Sequence, residues 1–185
     1  MNYTKIILLF TMLFIGYSAS AQRYFSKTGT ISFFSKTSME NIEATSNTAS
    51  TVFDLASGKI QWAVLIKSFE FEKALMQEHF NENYMESSEF PKAKFSGEIS
   101  DPASLTFEKD GTYSAEIIGS LTIHGVSQQV TSEATFVVKN GTIKGNSALK
   151  VKVADYGIKI PAVVNKNIAS EIEITISANY EHLKK

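Results

Sequence analysis

The chain has 185 residues, with 18 basic and 19 acidic side chains and no cysteine. This length suits one ordinary domain, and a balanced charge without a basic block gives no basis for nucleic-acid binding. The lack of cysteine excludes disulfides, thiol catalysis, thiolate metal sites and the lipidated cysteine of a bacterial lipoprotein.

The N-terminal segment has the pattern of a secretory signal peptide. An apolar run over residues 6–15 follows a lysine, and Ala19 and Ala21 occupy the positions that signal peptidase reads. The run is too short to span a bilayer, although an uncleaved N-terminal anchor is the alternative. We therefore expect a signal peptide over residues 1–21 and one domain over 22–185, periplasmic or secreted, with no transmembrane anchor after cleavage.

Most of the remaining chain alternates apolar and polar residues with a period of two, which is typical of strands with one buried face. In the last such segment, Ile172, Ile174 and Ile176 alternate with polar neighbours. The predicted strands cover residues 30–35, 43–53, 59–67, 93–99, 113–123, 126–138, 142–153 and 171–180.

The connections between these strands contain dipeptides that favour tight turns, because they accept positive φ angles. They are Ser57-Gly58, Asp110-Gly111, His124-Gly125 and Asn140-Gly141. Neighbouring strands should therefore be antiparallel. Roughly eight strands can close into a barrel that holds side chains or one small ligand.

One segment breaks the alternation. Residues 72–80 are good helix formers without Gly or Pro, so we expect a helix there. Its apolar face contains Leu75, Met76, His79, Phe80 and Tyr84. This face should pack on the sheet, either as part of the core or as a lid over a pocket.

Candidate catalytic groups are scarce. His79, His124 and His182 do not have the spacing of metal ligands, and no nucleophile-elbow, phosphate-loop or zinc-protease motif occurs. We therefore predict neither a metal site nor catalytic residues. The 13 Phe, 7 Tyr and single Trp instead suit an apolar interior, and alternation alone leaves open whether that interior is a cavity or a packed core.

The segment Leu-Thr-Ile-His-Gly-Val-Ser-Gln-Gln-Val at residues 121–130 resembles the signature strand-turn-strand of the YceI-like family of bacterial exported proteins. Residues 78–91, 94–97 and 155–158 match further family segments in the same order. The resemblance covers about residues 30–180. It implies an all-β fold with one inserted helix, a lipocalin-like antiparallel β-barrel of about eight strands enclosing an apolar tunnel. In relatives, such a tunnel holds a polyisoprenoid or a similar lipid.

The chain departs from the family's pattern at polar positions. Many relatives have an Asp near the first strand followed by His-Ser, an Arg-Asp pair opening the helical segment, and an Arg before a late Asp-Phe-Gly. This chain lacks them, and Ala154 and Tyr156 replace the late Arg and Phe. The resemblance therefore carries over the apolar tunnel and not a charged head-group site.

We predict a non-enzymatic exported protein that sequesters or carries a long apolar lipid. The expected ligand and partner is a polyisoprenoid, a quinone or a fatty acid, without a metal or other cofactor, and a homodimer is left open. The predicted wall residues are Phe33, Trp62, Val64, Phe95, Ile117, Ile123 and Phe136. The predicted entrance residues are Phe69, Phe80, Tyr84 and His124.

Alternatives remain for the turn histidine and for the function. His124 could fix its own hairpin by bonding neighbouring backbone, which we favour over contact with a lipid head group. The protein could instead be a structural or interaction module of the cell envelope with a packed core. An isomerase or hydrolase acting on a bound lipid would need an acid or base inside the tunnel, for which His124 and Asp155 are the candidates.

Overall fold

The structure is a computed structural model that describes residues 23–183, so the predicted signal peptide lies outside the described residues. The strands are β1 (Arg23–Lys36), β2 (Asn41–Asp54), β3 (Lys59–Leu65), β4 (Glu70–Phe71), β5 (Lys92–Ile99), β6 (Gly111–Ile123), β7 (Val126–Lys139), β8 (Thr142–Lys152) and β9 (Glu171–His182). Helix α1 (Ala74–His79) continues into a π-helical turn, Phe80–Tyr84. Within residues 23–183, no helix has the length and apolar character needed to cross a bilayer.

Eight of these strands form a closed antiparallel barrel, which confirms the predicted fold class. The strand order is β1-β9-β8-β7-β6-β5-β3-β2, and pairing between β1 and β2 closes the ring. The two-residue strand β4, which was not predicted, pairs with β2 at Ala44 and Thr45, beyond the last β3 pair. The alternation predicted from the sequence therefore places every second side chain of a strand inside the ring.

Two tight turns form as the sequence predicts. His124 and Gly125 both have positive φ, and so do Asn140 and Gly141, as expected for two-residue hairpin turns. The prediction at Asp110-Gly111 is wrong. The connection from β5 to β6 is a longer loop over residues 100–110, which folds across one end of the barrel.

That end of the barrel is closed by a packed aromatic core. Phe53 lies at its centre, stacked on Phe136 with 5.7 Å between ring centroids. Phe107, which the 100–110 loop supplies, meets Phe136 at 5.4 Å and Tyr24 at 5.8 Å. Burial raises the pKa of Tyr180 to about 12, so its phenol stays neutral there. We call this the closed end.

The opposite end, the open end, carries α1, the β1–β2 hairpin and the loop over residues 157–170. Here β7 and β8 diverge, because their pairing runs only from Glu133 opposite Ala148 to the hairpin turn. The short turn Val153–Tyr156 packs beside the diverging strands, and Gln128 Nε2 donates to the Asp155 carbonyl oxygen at 2.7 Å. The barrel wall is therefore completed by a loop at this end.

Helix α1 is shorter than the predicted 72–80 helix, and it lies across the open end. Met76, His79, Phe80 and Tyr84 face the barrel interior, as the helical wheel predicts. Leu75 does not, since it is 62% exposed to solvent. On the wheel Leu75 lies at one edge of the apolar face, which is broader than the part of the helix that turns toward the cavity.

Candidate ligand-binding site

The open half of the barrel contains an elongated apolar cavity of about 360 Å³. It extends from Ile60 and Ile117 in the middle of the barrel to Glu40 and Tyr84 at the open end. Its volume lies within the range of about 300–1,000 Å³ that is usual for ligand pockets. The interior is thus divided, with a packed aromatic core at one end and open space at the other.

Most of the predicted site residues line this cavity. On the wall these are Phe33, Trp62, Val64, Phe95, Ile117 and Ile123, and at the entrance they are Phe69, Phe80 and Tyr84. Their role in binding stays a prediction. The six wall residues lie on strands, and their position follows from strand alternation, because inward residues in the open half of a barrel face its lumen.

Phe136 is the exception among the predicted wall residues. It is only 1% exposed and packs in the closed-end core against Phe53 and Phe107, so it does not line the cavity. The alternation places Phe136 correctly on the inner face of β7. The alternation does not indicate how far along the barrel axis a residue lies, and Phe136 lies toward the end that the 100–110 loop fills.

Glycine residues on the barrel wall let the rings of Phe95 and Trp62 lie flat against the sheet, which leaves the lumen open. Gly97 and Gly119 stand opposite each other on β5 and β6, and the Phe95 ring covers both. A Cβ atom at Gly97 would lie 2.5 Å from the Phe95 ring and one at Gly119 would lie 2.6 Å from it. Aromatic cover of strand glycines is a known way to support a curved sheet.

Trp62 forms the boundary between the cavity and the closed-end core. Its ring lies against β1 at Gly29, where a Cβ atom would be 2.7 Å from Trp62 Cζ3. The Tyr180 phenol lies just beyond, with its oxygen 3.5 Å from Thr51 Oγ1. Trp62 is partly buried, and it packs against buried hydrophobic side chains of the closed-end core and of the open half.

The cavity is covered by parts of the chain that the sequence did not mark as functional. Besides Asn167, four apolar residues of the 157–170 loop face inward and line the cavity. They are Ile158, Ile160, Val164 and Ile168. The signal available in the sequence was an apolar segment between two strands that lacks strand alternation. Beside this loop, Phe80 of the π-helical turn stacks on Phe33 at 5.3 Å.

Glu40 is the acidic side chain on the cavity lining, and it connects three segments of the open end. Glu40 Oε2 accepts a hydrogen bond from Asn167 Nδ2 at 3.2 Å, and Glu40 Oε1 accepts one from Lys73 Nζ at 3.4 Å. The Asn167 hydrogen bond lowers the pKa of Glu40 below its ordinary value, and Lys73 acts in the same direction. We call this group the Glu40 clasp. Sequence analysis missed it because its three members are distant along the chain.

His124 was predicted at the entrance, or alternatively as a residue that fixes its own hairpin. The structure places it outside the cavity lining, beside Phe90 at 4.5 Å between ring centroids. Its Nε2 atom lies 2.7 Å from Glu86 Oε2 and its Nδ1 atom lies 3.3 Å from the Tyr156 carbonyl oxygen. His124 therefore ties its turn to two other loops of the open end.

The remaining candidates for acid–base chemistry are scattered. Asp155, like His124, is absent from the cavity lining, and His182 packs edge-on against Tyr24 at the closed end. His79 lines the cavity. Residues 23–183 contain no group of three or more His, Cys, Asp or Glu side chains arranged to hold a metal ion.

Taken together, the fold and the site define a class of protein, a closed antiparallel β-barrel with an inserted helix and an apolar cavity. Residues 16–180 match the model of the YceI-like domain. The chain therefore belongs to the YceI-like family, as the sequence resemblance indicated.

Known relatives agree with this assignment. A UPF0312 protein of Pseudomonas putida strain W619 is 28% identical over 101 residues, covering 50% of this chain and 47% of the relative. A second UPF0312 protein, from Pseudomonas putida strain GB-1, has the same identity and the same coverage. The chain thus spans about half the length of the curated relatives it matches.

Solved structures share the fold at low sequence identity. A polyisoprenoid-binding domain from Saccharophagus degradans, implicated in plant cell wall breakdown, has a TM-score of 0.76 at 15% identity, covering 88% of this chain and 99% of its own. BcnA of Burkholderia cenocepacia has a TM-score of 0.69 at 19% identity, and the match covers 83% of this chain and 96% of BcnA. The YceI protein of Campylobacter jejuni has a TM-score of 0.55 at 20% identity, covering 75% and 81%.

Proposed function

We propose that this protein binds a long apolar lipid, a polyisoprenoid, a quinone or a fatty acid, within the open half of its barrel. The observation that carries this proposal is the elongated cavity, whose lining is almost entirely apolar. A solved structure with the same fold is described as a polyisoprenoid-binding domain, which supports this choice of ligand class.

The size of the cavity supports a chain-like ligand. At about 30 Å³ for each water-sized group, 360 Å³ holds at least about a dozen groups the size of a methylene. Burying a methylene contributes roughly 0.8 kcal/mol, so about eight of them supply roughly 6 kcal/mol before ordering costs. A hydrocarbon chain could therefore bind without a charged contact.

The residues proposed to contact this chain are the six wall and three entrance side chains found on the lining, together with the four apolar lining residues of the 157–170 loop. We further propose that the protein is exported, which is supported by the signal-peptide pattern over residues 1–21. A carrier or sequestering role is consistent with both lipid binding and export, because the apolar chain of an exported lipid is unfavourable in water.

Trp62 provides a direct test, since it is the single tryptophan of the chain and lines the cavity. A short-chain ubiquinone analogue should quench Trp62 fluorescence in a saturable manner. A polyprenol or fatty acid that does not quench should then reverse the effect by competition. The proposal is wrong if quenching rises linearly with quinone concentration and no competitor reverses it.

A further inference from the structure

Three apolar side chains project into solvent around the cavity mouth. Met39 is 68% exposed, Leu75 62% and Val163 90%. Among the described residues, these are the three most exposed large hydrophobic side chains. The others on the barrel strands are less exposed, for example Val137 on the outer face of β7 at 38%. The strongest exposure is thus concentrated at one end of the molecule.

The three side chains belong to three separate segments that the Glu40 clasp holds together. Met39 precedes Glu40 in the β1–β2 hairpin, Leu75 follows Lys73 by two positions, and Val163 lies on the same loop as Asn167. Because Glu40 itself lines the cavity, the clasp places all three beside its mouth.

The 157–170 loop has two chemically different faces. Its isoleucines and Val164 face the cavity, whereas Val163, Lys159 and Lys166 are exposed on its outer side. Residues 157–170 contain two lysines and no acidic residue. An exposed apolar tip flanked by cations is typical of segments that lie in the interface of a membrane with anionic lipids.

We propose that the open end of the barrel docks on a lipid bilayer through Met39, Leu75 and Val163, with Lys159 and Lys166 near anionic head groups. This orientation sets the cavity mouth against the lipid phase, where an apolar ligand could pass without crossing water. The choice of a bilayer as partner rests on the proposed lipid-binding function, because the apolar surface surrounds the mouth of an apolar cavity.

Because the chain has no cysteine, a single introduced cysteine can be labelled at one chosen position. The label then reports which end of the barrel meets the membrane. An environment-sensitive nitrobenzoxadiazole label is attached to Val163→Cys at the open end, and in a separate protein to Thr142→Cys, an exposed position at the closed end. Vesicles of phosphatidylcholine, with and without phosphatidylglycerol, are then added. The label at position 163 should shift to shorter wavelength, more strongly with phosphatidylglycerol, and the label at position 142 should not.

A matched pair of valine substitutions tests the energetics. Val163→Asp should weaken vesicle binding by about tenfold, because it removes an apolar tip and adds a negative charge. Val137→Asp, on the outer face of β7, should bind vesicles as the unmodified protein does. Both variants should retain quinone quenching of Trp62, since neither residue lines the cavity.

Docking is overturned if both labels respond alike, if neither responds, or if Val163→Asp binds vesicles as tightly as the unmodified protein. A failure of lipid binding is distinct from these results. It would abolish quinone quenching of Trp62 in every variant, whereas the label at position 163 would still report whether the open end enters the membrane.

Discussion

The carboxylate of Glu40 accepts a hydrogen bond from the side-chain amide of Asn167 at 3.2 Å, although 127 positions separate the two residues. This contact joins the β1–β2 hairpin to the loop that covers the cavity. Lys73, at the base of α1, completes the clasp at 3.4 Å. The cover over the cavity is therefore fastened by a few side-chain hydrogen bonds rather than by a strand ladder, since Ser35 Oγ on β1 also accepts one from the Ala169 backbone N–H at 2.9 Å.

Neutralising Glu40 should loosen this cover. In Glu40→Gln, the amide oxygen can still accept from Asn167, but the charge that attracts Lys73 is lost. Backbone amides in residues 157–170 should then exchange with deuterium faster, with little change in the melting temperature, because exposed ion pairs contribute little to global stability. Glu43→Gln, on the exposed side of β2, is the matched control and should exchange as the unmodified protein does.

Acidification should have the same effect on the unmodified protein. The pKa of Glu40 is lowered from 4.5, so the stabilisation from the clasp is fully present above pH 4.5 and is lost as the pH falls through the folded-state value. Exchange in residues 157–170, corrected for the intrinsic pH dependence, should therefore accelerate in acid. Equal acceleration in Glu40→Gln would show that another group is responsible.

The two halves of the barrel interior should respond differently to truncation of a phenylalanine. Phe136→Ala removes a ring from the packed closed end and should lower the free energy of unfolding by about 3–5 kcal/mol. Phe33→Ala, beside the cavity, should cost at least about 1 kcal/mol less, because part of its ring already faces open space. Urea denaturation measures both, and quinone quenching of Trp62 should weaken only in Phe33→Ala. Equal costs and unchanged binding in both variants would contradict a divided interior.

The link between His124 and Glu86 should be detectable as a coupling energy. Asn accepts the positive φ of 50° at this position, so His124→Asn removes the ring contacts while keeping the turn. We expect a loss of about 1–2 kcal/mol in unfolding free energy, because the Tyr156 carbonyl oxygen also loses its partner. In a double-mutant cycle with Glu86→Gln, the coupling should be about 0.5–1 kcal/mol. Strictly additive single effects would show that the 2.7 Å contact is not energetically significant.

The strands could be predicted from the sequence because their signal is local. A period of two identifies the inner face of a strand whatever its partner, so Phe33, Trp62 and Phe136 were all assigned correctly to the inside. Depth along the barrel is not local. Phe136 lies in the packed core because the 100–110 loop brings Phe107 against it, and nothing in the alternation of β7 reports that contact.

The open end was harder to predict for the same reason. Glu40, Lys73 and Asn167 meet only once the barrel has closed and its loops have folded over the mouth. His124 was recognised as a turn residue from its neighbour Gly125. Its partners, Glu86 and the Tyr156 carbonyl group, lie 38 and 32 positions away. Local patterns predicted the scaffold, whereas the contacts that cover the cavity depend on loop geometry.

The central claim is that the open half of the barrel holds a lipid chain, and native mass spectrometry of protein purified without detergent tests it most directly. Leu149 lines the cavity and Lys150 is exposed, so Leu149→Trp takes up part of the space that Lys150→Trp leaves free. The unmodified protein and Lys150→Trp should carry an added mass that organic extraction recovers as lipid, and Leu149→Trp should carry clearly less of it. If the unmodified protein has only its sequence mass even after incubation with polyprenol, quinone and fatty acid, or if Leu149→Trp binds lipid equally well, the claim is contradicted.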